Sequence, residues 1–275
     1  MNIPSFKASP DDFAEFIKIV GENPKNKSKI TIEIQEYLKN KSKRSRTISA
    51  RNAINAIALP SLKKLSLIRG SGNNIELNEN GVLLYKAIRE GNHGRFVRLF
   101  SKLIIEFDKN EIHLLNLLST FKKQFTFTEL LKLARENGYE SVKGDDKLSK
   151  WLNFLVYSGA LIREGNQFRI TNIEINLEKP KVTDSEFLQV LLEAYTYLNT
   201  RFNYANYVPV PKLRSILCEK FSKNGFMSYD FDEYLIKLYE KDTLKIVFSK
   251  PGKRVYDGLR VGKNYYYYVS IYNES

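Results

Sequence analysis

One order of predicted elements recurs along the chain and limits the folds that it can adopt. Apolar residues at helical spacing indicate three successive helices, and a strand, a turn and a second strand follow them. Hairpins of this kind are predicted from IRGSGNNIELNENG (68–81), from REGNQFRIT (163–171) and from LKIVFS paired with NYYYYVSIY near the C-terminus. Because the order returns about every ninety residues, it indicates repeated modules of one type.

Three helices followed by a β-hairpin are typical of a winged-helix domain. We therefore predict a mainly α fold with small β-hairpins, of the α+β class, made of three tandem winged-helix domains. The glycine-rich GNHG (91–94) and the polar, proline-containing NLEKPKVTD (176–184) indicate the boundaries. The predicted domains span residues 1–92, 93–177 and 178–275.

A basic run leads into the third predicted helix of the first domain, within the stretch from Lys39 to Ile68. A serine or threonine after this run can cap the helix, because its hydroxyl accepts a bond from a free backbone N–H. The positive end of a helix dipole disfavours neighbouring cations unless an anion neutralises both, and a phosphate backbone is the expected anion. The cations and capping candidates that we assign to DNA binding are Lys41, Lys43, Arg44, Arg46, Thr47 and Ser49.

The same helix has one apolar and one polar face. Apolar residues recur at helical spacing from Ile54 to Leu65, so this face is predicted to be buried. The polar face is predicted to read bases, because arginine can bond guanine and asparagine can bond adenine in the major groove. Pro60 lacks a backbone N–H, so we expect it to end or kink the helix near Leu59 or to begin a new turn, which gives two helical pieces at about 48–58 and 60–67. The residues assigned to DNA contact here are Arg51, Asn52, Asn55, Lys63 and Lys64.

Basic residues in the other two domains extend the predicted DNA surface. In the second domain Asp145 and Asp146 interrupt the lysines, so its third helix suits contact between domains as well as it suits base reading. The long wing of the third domain, KPGKRVYDGLRVGK, carries five cations and one acidic residue, and such a loop can order on a phosphate backbone. The residues assigned to DNA contact in these domains are Lys147, Lys150, Lys250, Lys253, Arg254, Arg260 and Lys263.

The positive charge of the chain is concentrated. The sequence carries 44 Lys+Arg against 31 Asp+Glu, a formal net charge of +13, and residues 24–69 hold twelve basic and two acidic residues. Focused basicity favours a polyanionic partner, with nucleic acid ahead of an anionic membrane surface. No run approaches about eighteen apolar residues and the N-terminus has no apolar leader, so we expect a cytoplasmic protein with no membrane partner.

Residue patterns for catalysis are weak. The single cysteine excludes an internal disulfide framework and a cysteine-based zinc site, and the only histidines, His93 and His113, belong to no metal-binding motif. No glycine-rich phosphate loop is present, and FDEYLIKLYEKD, the nearest match to a nuclease motif, reads as a helix. We therefore expect a non-catalytic chain with no cofactor and no metal.

The first module resembles a known family of DNA-recognition domains. Its Leu-Ile exit into the hairpin, followed by IELNENGVLLYKAI returning to a helix, resembles the recognition domains of type IIS restriction endonucleases, which chain several winged-helix subdomains. The resemblance implies sequence-specific binding of duplex DNA, with Arg51, Asn52 and Asn55 placed where such a helix reads bases. It departs from the family at Pro60 and in lacking a cleavage domain after Ser275.

These patterns favour a sequence-specific double-stranded DNA-binding protein, the recognition module or subunit of a restriction or phage-defence system. Any nuclease activity would then belong to a partner subunit or a missing domain. A plasmid-type replication initiator or a transcriptional regulator, a metal-dependent nuclease with an unrecognised site, and a protein-interaction scaffold are the alternatives. The target sequence and the oligomeric state are left open.

Overall fold

The chain is mainly helical and carries small antiparallel sheets, as a computed structural model shows. The structure describes residue 3 and residues 6–41, 48–121, 124–139, 146–171, 180–241, 245–250, 258–261 and 264–272. The predicted α+β class is therefore confirmed. The chain divides into two compact units, one of residues 1–120 and 128–158 and the other of residues 121–127 and 159–275. The division into three winged-helix domains stays a prediction.

The first unit is built almost entirely from helices. The described part of the unit contains one hairpin, in which β1 (Ile68–Arg69) and β2 (Glu76–Leu77) pair Ile68 with Leu77 and Arg69 with Glu76. The helices are α1 (Pro10–Glu22), α2 (Lys27–Lys41), α3 (Ala50–Asn52), α4 (Leu59–Lys64), α5 (Glu79–Arg89), α6 (His93–Phe107), α7 (Leu114–Leu118), α8 (Phe127–Glu136) and α9 (Asp146–Tyr157), with π-helical segments at Ala53–Ala58 and Asp108–Ile112.

Aromatic side chains from distant parts of the sequence form the core of the first unit. The Phe6 ring stacks on Trp151 with 5.6 Å between centroids and lies 4.7 Å from Phe154. Phe13 of α1 adds contacts at 5.1 Å to Phe100 and at 5.6 Å to Phe154. These rings are buried, and such pairs contribute about 0.5–1.5 kcal/mol each beyond the area that they bury.

A buried carboxylate joins the start of α1 to the end of α2. Asp12 accepts hydrogen bonds from the backbone N–H and the hydroxyl of Ser9, both at 2.7 Å, and from the Tyr37 hydroxyl at 3.0 Å. The Lys41 ammonium bonds the same carboxylate and donates to the Ser9 hydroxyl at 2.9 Å. Burial alone would raise the pKa of Asp12, but the bonds from Lys41 and Ser9 lower it below its ordinary value.

The helix that contains Pro60 is continuous, although its backbone register changes. The two expected helical pieces meet without a non-helical break, because a π-helical segment ends at Ala58 and α4 begins at Leu59. The π-helical segment Ala53–Ala58 precedes α4, and Pro60 lies in the first turn of α4, where a missing N–H is tolerated. The Ser61 hydroxyl donates to the Ile57 carbonyl at 2.6 Å, which adds a side-chain hydrogen bond in the turn that precedes the proline.

The described residues of the second unit form three helices and three small sheets. Its strands are β3 (Phe125–Thr126), β4 (Leu161–Glu164), β5 (Gln167–Ile170), β6 (Val208–Pro209), β7 (Lys245–Ser249), β8 (Leu259–Val261), β9 (Asn264–Tyr266) and β10 (Tyr268–Tyr272). Its helices are α10 (Asp184–Phe202), α11 (Val210–Lys220) and α12 (Ser228–Glu240), with a 3₁₀ turn at Ser222–Asn224. The sheet orders are β3-β5-β4, β6-β10-β7 and β8-β9, all antiparallel.

The core of the second unit lies between these helices and the β6-β10-β7 sheet. Phe187, Phe226 and Phe231 are fully buried there, with ring centroids of Phe187 and Tyr234 only 4.9 Å apart. Cys218 of α11 belongs to the same core, and burial raises the pKa of its thiol to about 12. The cysteine is therefore protonated at neutral pH.

We expect Asp12→Asn to lower the free energy of unfolding by about 2 kcal/mol at neutral pH, because it removes charge-assisted hydrogen bonds to a buried group. A carboxylate whose pKa is lowered by folding stabilises the protein above its unfolded pKa and loses that contribution as the pH falls through its folded pKa. The difference between wild type and variant should therefore shrink as the pH falls below the ordinary aspartate value of 3.8. Urea unfolding at several pH values measures it.

The control for this prediction is the neighbouring Asp11→Asn. Asp11 is exposed and makes no side-chain hydrogen bond within the described residues, so its amide variant should change stability by no more than a few tenths of a kcal/mol. A pH-independent difference for Asp12→Asn would contradict the assigned role of its charge.

Candidate nucleic-acid interface

The helix from Ala50 to Lys64 presents a polar face to solvent. Ser49 is its N-cap, with its hydroxyl accepting a hydrogen bond from the Asn52 backbone N–H at 3.3 Å, as expected for a capping serine. Arg51, Asn52, Asn55 and Lys63 are exposed. Within the described residues, none of these four side chains makes a hydrogen bond or an ion pair. Their donors and acceptors are therefore open to a ligand, and their contact with DNA stays a prediction.

The opposite face of this helix fixes its position in the first unit. Ala53, Ile54, Ala58 and Leu62 are buried, as the apolar spacing predicted. The π-helical segment packs against α2, whose Gln35 side chain donates to the Ile48 carbonyl at 2.9 Å just before the helix begins. A rigid core on one side and a fixed N-cap at the start hold the exposed side chains in place, as a recognition surface requires.

Three lysines from distant parts of the sequence come together near this helix. Burial lowers the pKa of Lys64, and the like charges of Lys147 and Lys7 lower it further. The Lys64 ammonium lies 5.4 Å from the Phe6 ring centroid, within cation–π range. Like charges repel, so an anion bound at these three lysines, the lysine cluster, would relieve an existing cost. No local sequence pattern indicates that these three lysines lie near one another.

The remaining predicted residues of the first unit have other surroundings. Lys41 is bonded to Asp12 and Ser9, so its charge is already compensated. Lys150 pairs with Asp146 at 2.7 Å one helical turn away, both groups being partly or fully exposed. Their contacts with DNA stay predictions. The following predicted residues lie outside the described ranges: Lys43, Arg44, Arg46, Thr47 and Asp145.

A groove of about 650 Å³ beside the β1–β2 hairpin adds cations that the sequence reasoning missed. The charged residues that line it are Arg69, Lys86 and Arg89 together with Glu76 and Glu90. Arg69 is paired with Glu76 at 2.8 Å, whereas Lys86 and Arg89 form no ion pair with any described residue. Lys86 and Arg89 are three residues apart on α5, so both lie on one side of that helix. This spacing could have indicated their proximity from the sequence alone.

The predicted wing of the third domain is described only in part. Lys250 donates to the Asn264 side chain at 3.4 Å, and Arg260 is exposed on β8. Lys253, Arg254 and Lys263 lie outside the described residues. DNA contact by these five cations stays a prediction.

A partly buried ion pair supports the base of this wing. Arg214 of α11 donates to Oδ1 of Asp232 on α12 at 2.9 and 2.7 Å, and to the Gly258 carbonyl before β8 at 3.3 Å. Burial raises the pKa of Asp232, and the Arg214 charge opposes that shift. Arg214 therefore joins both helices to the wing and is held by contacts inside the unit.

The grouping of side chains and the length of the helices bear on the predicted absence of a metal and of a membrane segment. No group of three or more histidine, cysteine, aspartate or glutamate side chains in the described ranges is placed to hold a metal ion. Among the helices that the structure describes, none combines the length and apolar character needed to span a bilayer. The absence of catalysis stays a prediction.

Comparisons of the chain with protein-family models, with curated proteins and with solved structures find no match. The resemblance to the recognition domains of type IIS restriction endonucleases therefore stays a prediction, and the site must be interpreted from its own geometry.

We expect Lys147→Gln to raise the pKa of Lys64 and to increase the free energy of unfolding at low salt, because it removes a like charge from the lysine cluster. The gain should disappear near 1 M salt, where the screening length falls to about 3 Å. NMR titration of the Lys64 side chain and urea unfolding at two salt concentrations measure these effects.

Lys132→Gln is the matched control. Lys132 is exposed and lies 3.9 Å from Glu136, so its neutralisation removes a weak attraction. It should leave the pKa of Lys64 unchanged. Equal effects of both variants would show that the overall charge of the chain, and not the cluster, sets the response.

Proposed function

We propose that this chain binds double-stranded DNA with sequence specificity, as the recognition module or subunit of a restriction or phage-defence system. The exposed face of the helix from Ala50 to Lys64 carries the proposal. Its arginine, asparagines and lysine make no side-chain bond within the described residues, and they project from a helix whose other face is buried.

The side chains on this face suit the edges of base pairs. Arginine can bond O6 and N7 of guanine, and asparagine can bond N6 and N7 of adenine, each good pair contributing about 1–3 kcal/mol of discrimination. An α-helix fits the major groove of B-DNA, which is about 12 Å wide. Arg51 and Asn52 at the start of the helix, with Asn55 one turn on, are in the N-terminal part that reads bases in helix-turn-helix proteins.

The topology of the second unit supports the winged-helix assignment of the third domain. In chain order α10 is followed by β6, α11, α12, β7 and β10, and the sheet order β6-β10-β7 places the last strand between the other two. Such an order is typical of winged-helix domains and supports the proposed assignment, in which the β8–β9 hairpin would belong to the wing. The sheet β3-β5-β4 has the same order, with β3 before α8 and both β4 and β5 after α9.

The distribution of charge supports a phosphate-rich partner. The lysine cluster, the unpaired cations of the groove and the run before Ser49 all belong to the first unit, in a chain with a formal net charge of +13. Phosphate contacts position a protein on the duplex and supply affinity for every sequence, whereas base contacts supply the discrimination. In this proposal the cations hold the duplex and the polar helix face reads it.

The chemical step is proposed to belong to another chain or domain. The polar face consists of hydrogen-bond donors and acceptors and contains no carboxylate or histidine. We therefore propose that this chain supplies recognition only and that a nuclease acts with it. An asymmetric target site would favour restriction over a replication initiator or transcriptional regulator, for which a palindromic or repeated site is expected.

We expect selection of bound duplexes from a random pool to yield a short consensus sequence. The affinity for that sequence should fall with salt, with a logarithmic slope near −0.9 for each phosphate contacted. No enrichment, with salt-sensitive binding to all duplexes, would contradict the proposal and leave a nonspecific binder.

Two variants distinguish contacts to bases from contacts to the phosphate backbone. Asn55→Ala should lose about 1–3 kcal/mol of discrimination at one base pair and keep its affinity for DNA altered at that pair. Arg44→Ala should weaken binding to every duplex alike and reduce the salt slope by about 1. Asn116→Ala, which removes an exposed asparagine from α7, is the control and should change neither property. Equal losses on all sequences for both test variants would refute this division of roles.

A further inference from the structure

Aromatic and cationic side chains cluster on the surface where α10 ends and α11 begins. Tyr197, Phe202 and Tyr207 are 48%, 47% and 50% exposed, although large aromatic rings normally bury most of their surface in a soluble domain. We call the whole group the aromatic–cation patch; its members are Tyr197, Arg201, Phe202, Tyr204, Tyr207 and Lys212.

The rings of the patch hold its two cations at the surface. The Arg201 guanidinium lies 5.4 Å from the Tyr197 ring centroid and 5.6 Å from that of Phe202, and it donates a hydrogen bond to the Tyr197 hydroxyl. The Lys212 ammonium lies 4.5 Å from the Phe202 centroid and 5.4 Å from that of Tyr204. Within the described residues neither cation forms a salt bridge. Both charges are therefore uncompensated by acidic groups.

The loop that carries Tyr204 and Tyr207 is held in an unfavourable backbone conformation. Asn203, Ala205 and Asn206 have φ values of 50°, 47° and 68°, a region that costs an L-residue about 1–2 kcal/mol and costs asparagine least. Strain of this kind persists only where surrounding contacts fix it, and it is concentrated at ligand-binding sites.

Hydrogen bonds to Asn206 provide those fixing contacts. Asn206 and Asn199 bond each other twice, through backbone N–H to side-chain oxygen at 2.9 Å and through side chains at 2.8 Å. The Asn206 carbonyl accepts bonds from the Tyr195 hydroxyl at 3.0 Å and from the Ser270 hydroxyl at 2.7 Å. The loop is thus rigid before any partner binds, which reduces the entropy cost of binding.

The charge around the patch selects an anionic partner. The sequence contains no aspartate or glutamate from residue 194 to residue 218, although this stretch includes Arg201, Lys212 and Arg214. Arg214 is held by Asp232, so Arg201 and Lys212 are the cations open to a ligand. An acidic protein surface could pair its carboxylates with these two cations. Carboxylate side chains, however, have no flat ring that could stack on the several exposed aromatic rings of the patch.

We propose that the aromatic–cation patch binds single-stranded DNA, with unpaired bases stacking on its rings and phosphates bonding Arg201 and Lys212. Base faces are accessible to protein rings only where the strand is unpaired, and aromatic side chains beside cations are the common means of binding such strands. This inference goes beyond the proposed function, because its ligand is an unpaired strand and its surface is separate from the helix that is proposed to read duplex DNA.

The first test uses fluorescence anisotropy of the full chain with labelled oligothymidylate of about twelve nucleotides. Phe202→Leu and Tyr207→Leu should each weaken binding by about 5- to 100-fold, the range that loss of one stacked base corresponds to. Tyr207→Phe keeps the ring and should bind like wild type. Lys212→Gln should weaken binding and reduce its salt dependence.

Two controls separate the patch from general effects. Tyr239→Leu removes a ring that is 44% exposed on α12 and lies 4.9 Å from the Phe248 ring, and no cation stacks on it within the described residues. This variant should bind oligothymidylate like wild type. The affinities of Phe202→Leu and Tyr207→Leu for a blunt duplex of the same length should lie within about twofold of the wild-type affinity, because the bases of a duplex are paired and cannot stack on protein rings.

A second measurement uses only the wild-type chain, so that it does not depend on the folding of any variant. Oligothymidylate containing 5-iodouracil should cross-link on irradiation to Tyr197, Phe202, Tyr204 or Tyr207, as mapped by mass spectrometry. No binding of the oligonucleotide, cross-links confined to other residues, or full affinity in both leucine variants would overturn the proposal. None of these outcomes depends on selection from duplexes, so either proposal can fail while the other stands.

Discussion

The buried carboxylate of Asp12 is the contact on which the arrangement of the first unit depends. A carboxylate in an apolar setting is costly unless it is fully bonded, and here Ser9, Tyr37 and Lys41 supply those bonds. They join α1 to the last residue of α2. Because Gln35 of α2 also bonds the Ile48 carbonyl, α2 contacts the chain just before the capped helix begins. The exposure of the polar helix face follows from this anchoring.

Local patterns in the sequence predicted local structure well. The apolar spacing from Ile54 to Leu65 identified the buried face of the helix, and with it the exposed positions of Arg51 and Asn55. The register change before Pro60 was not predictable, because several helical hydrogen-bonding patterns can accommodate one proline. Nor was the role of Lys41 predictable, since a basic run does not show which lysine meets a carboxylate 29 residues earlier in the chain.

Contacts between distant residues account for the rest of what the sequence left undetermined. Phe6 stacks on Trp151, so residues from the first and second predicted domains share one core. The same packing brings Lys64 near Lys147. A recurrent order of helices and hairpins specifies how each segment folds locally, whereas the partners of each apolar face decide which segments form one compact unit. The three predicted domains therefore describe the recurring local order of elements, whereas the two observed units describe which segments pack together.

The core position of Cys218 makes the chain a convenient single-site reporter. Cys218 is 2% exposed and its thiol remains protonated at neutral pH, so in the folded protein maleimide reagents cannot reach it and find no thiolate to react with. A cysteine introduced at one surface position will consequently be the main site of labelling. Dyes or spin labels can then be attached to either unit without first removing the native thiol.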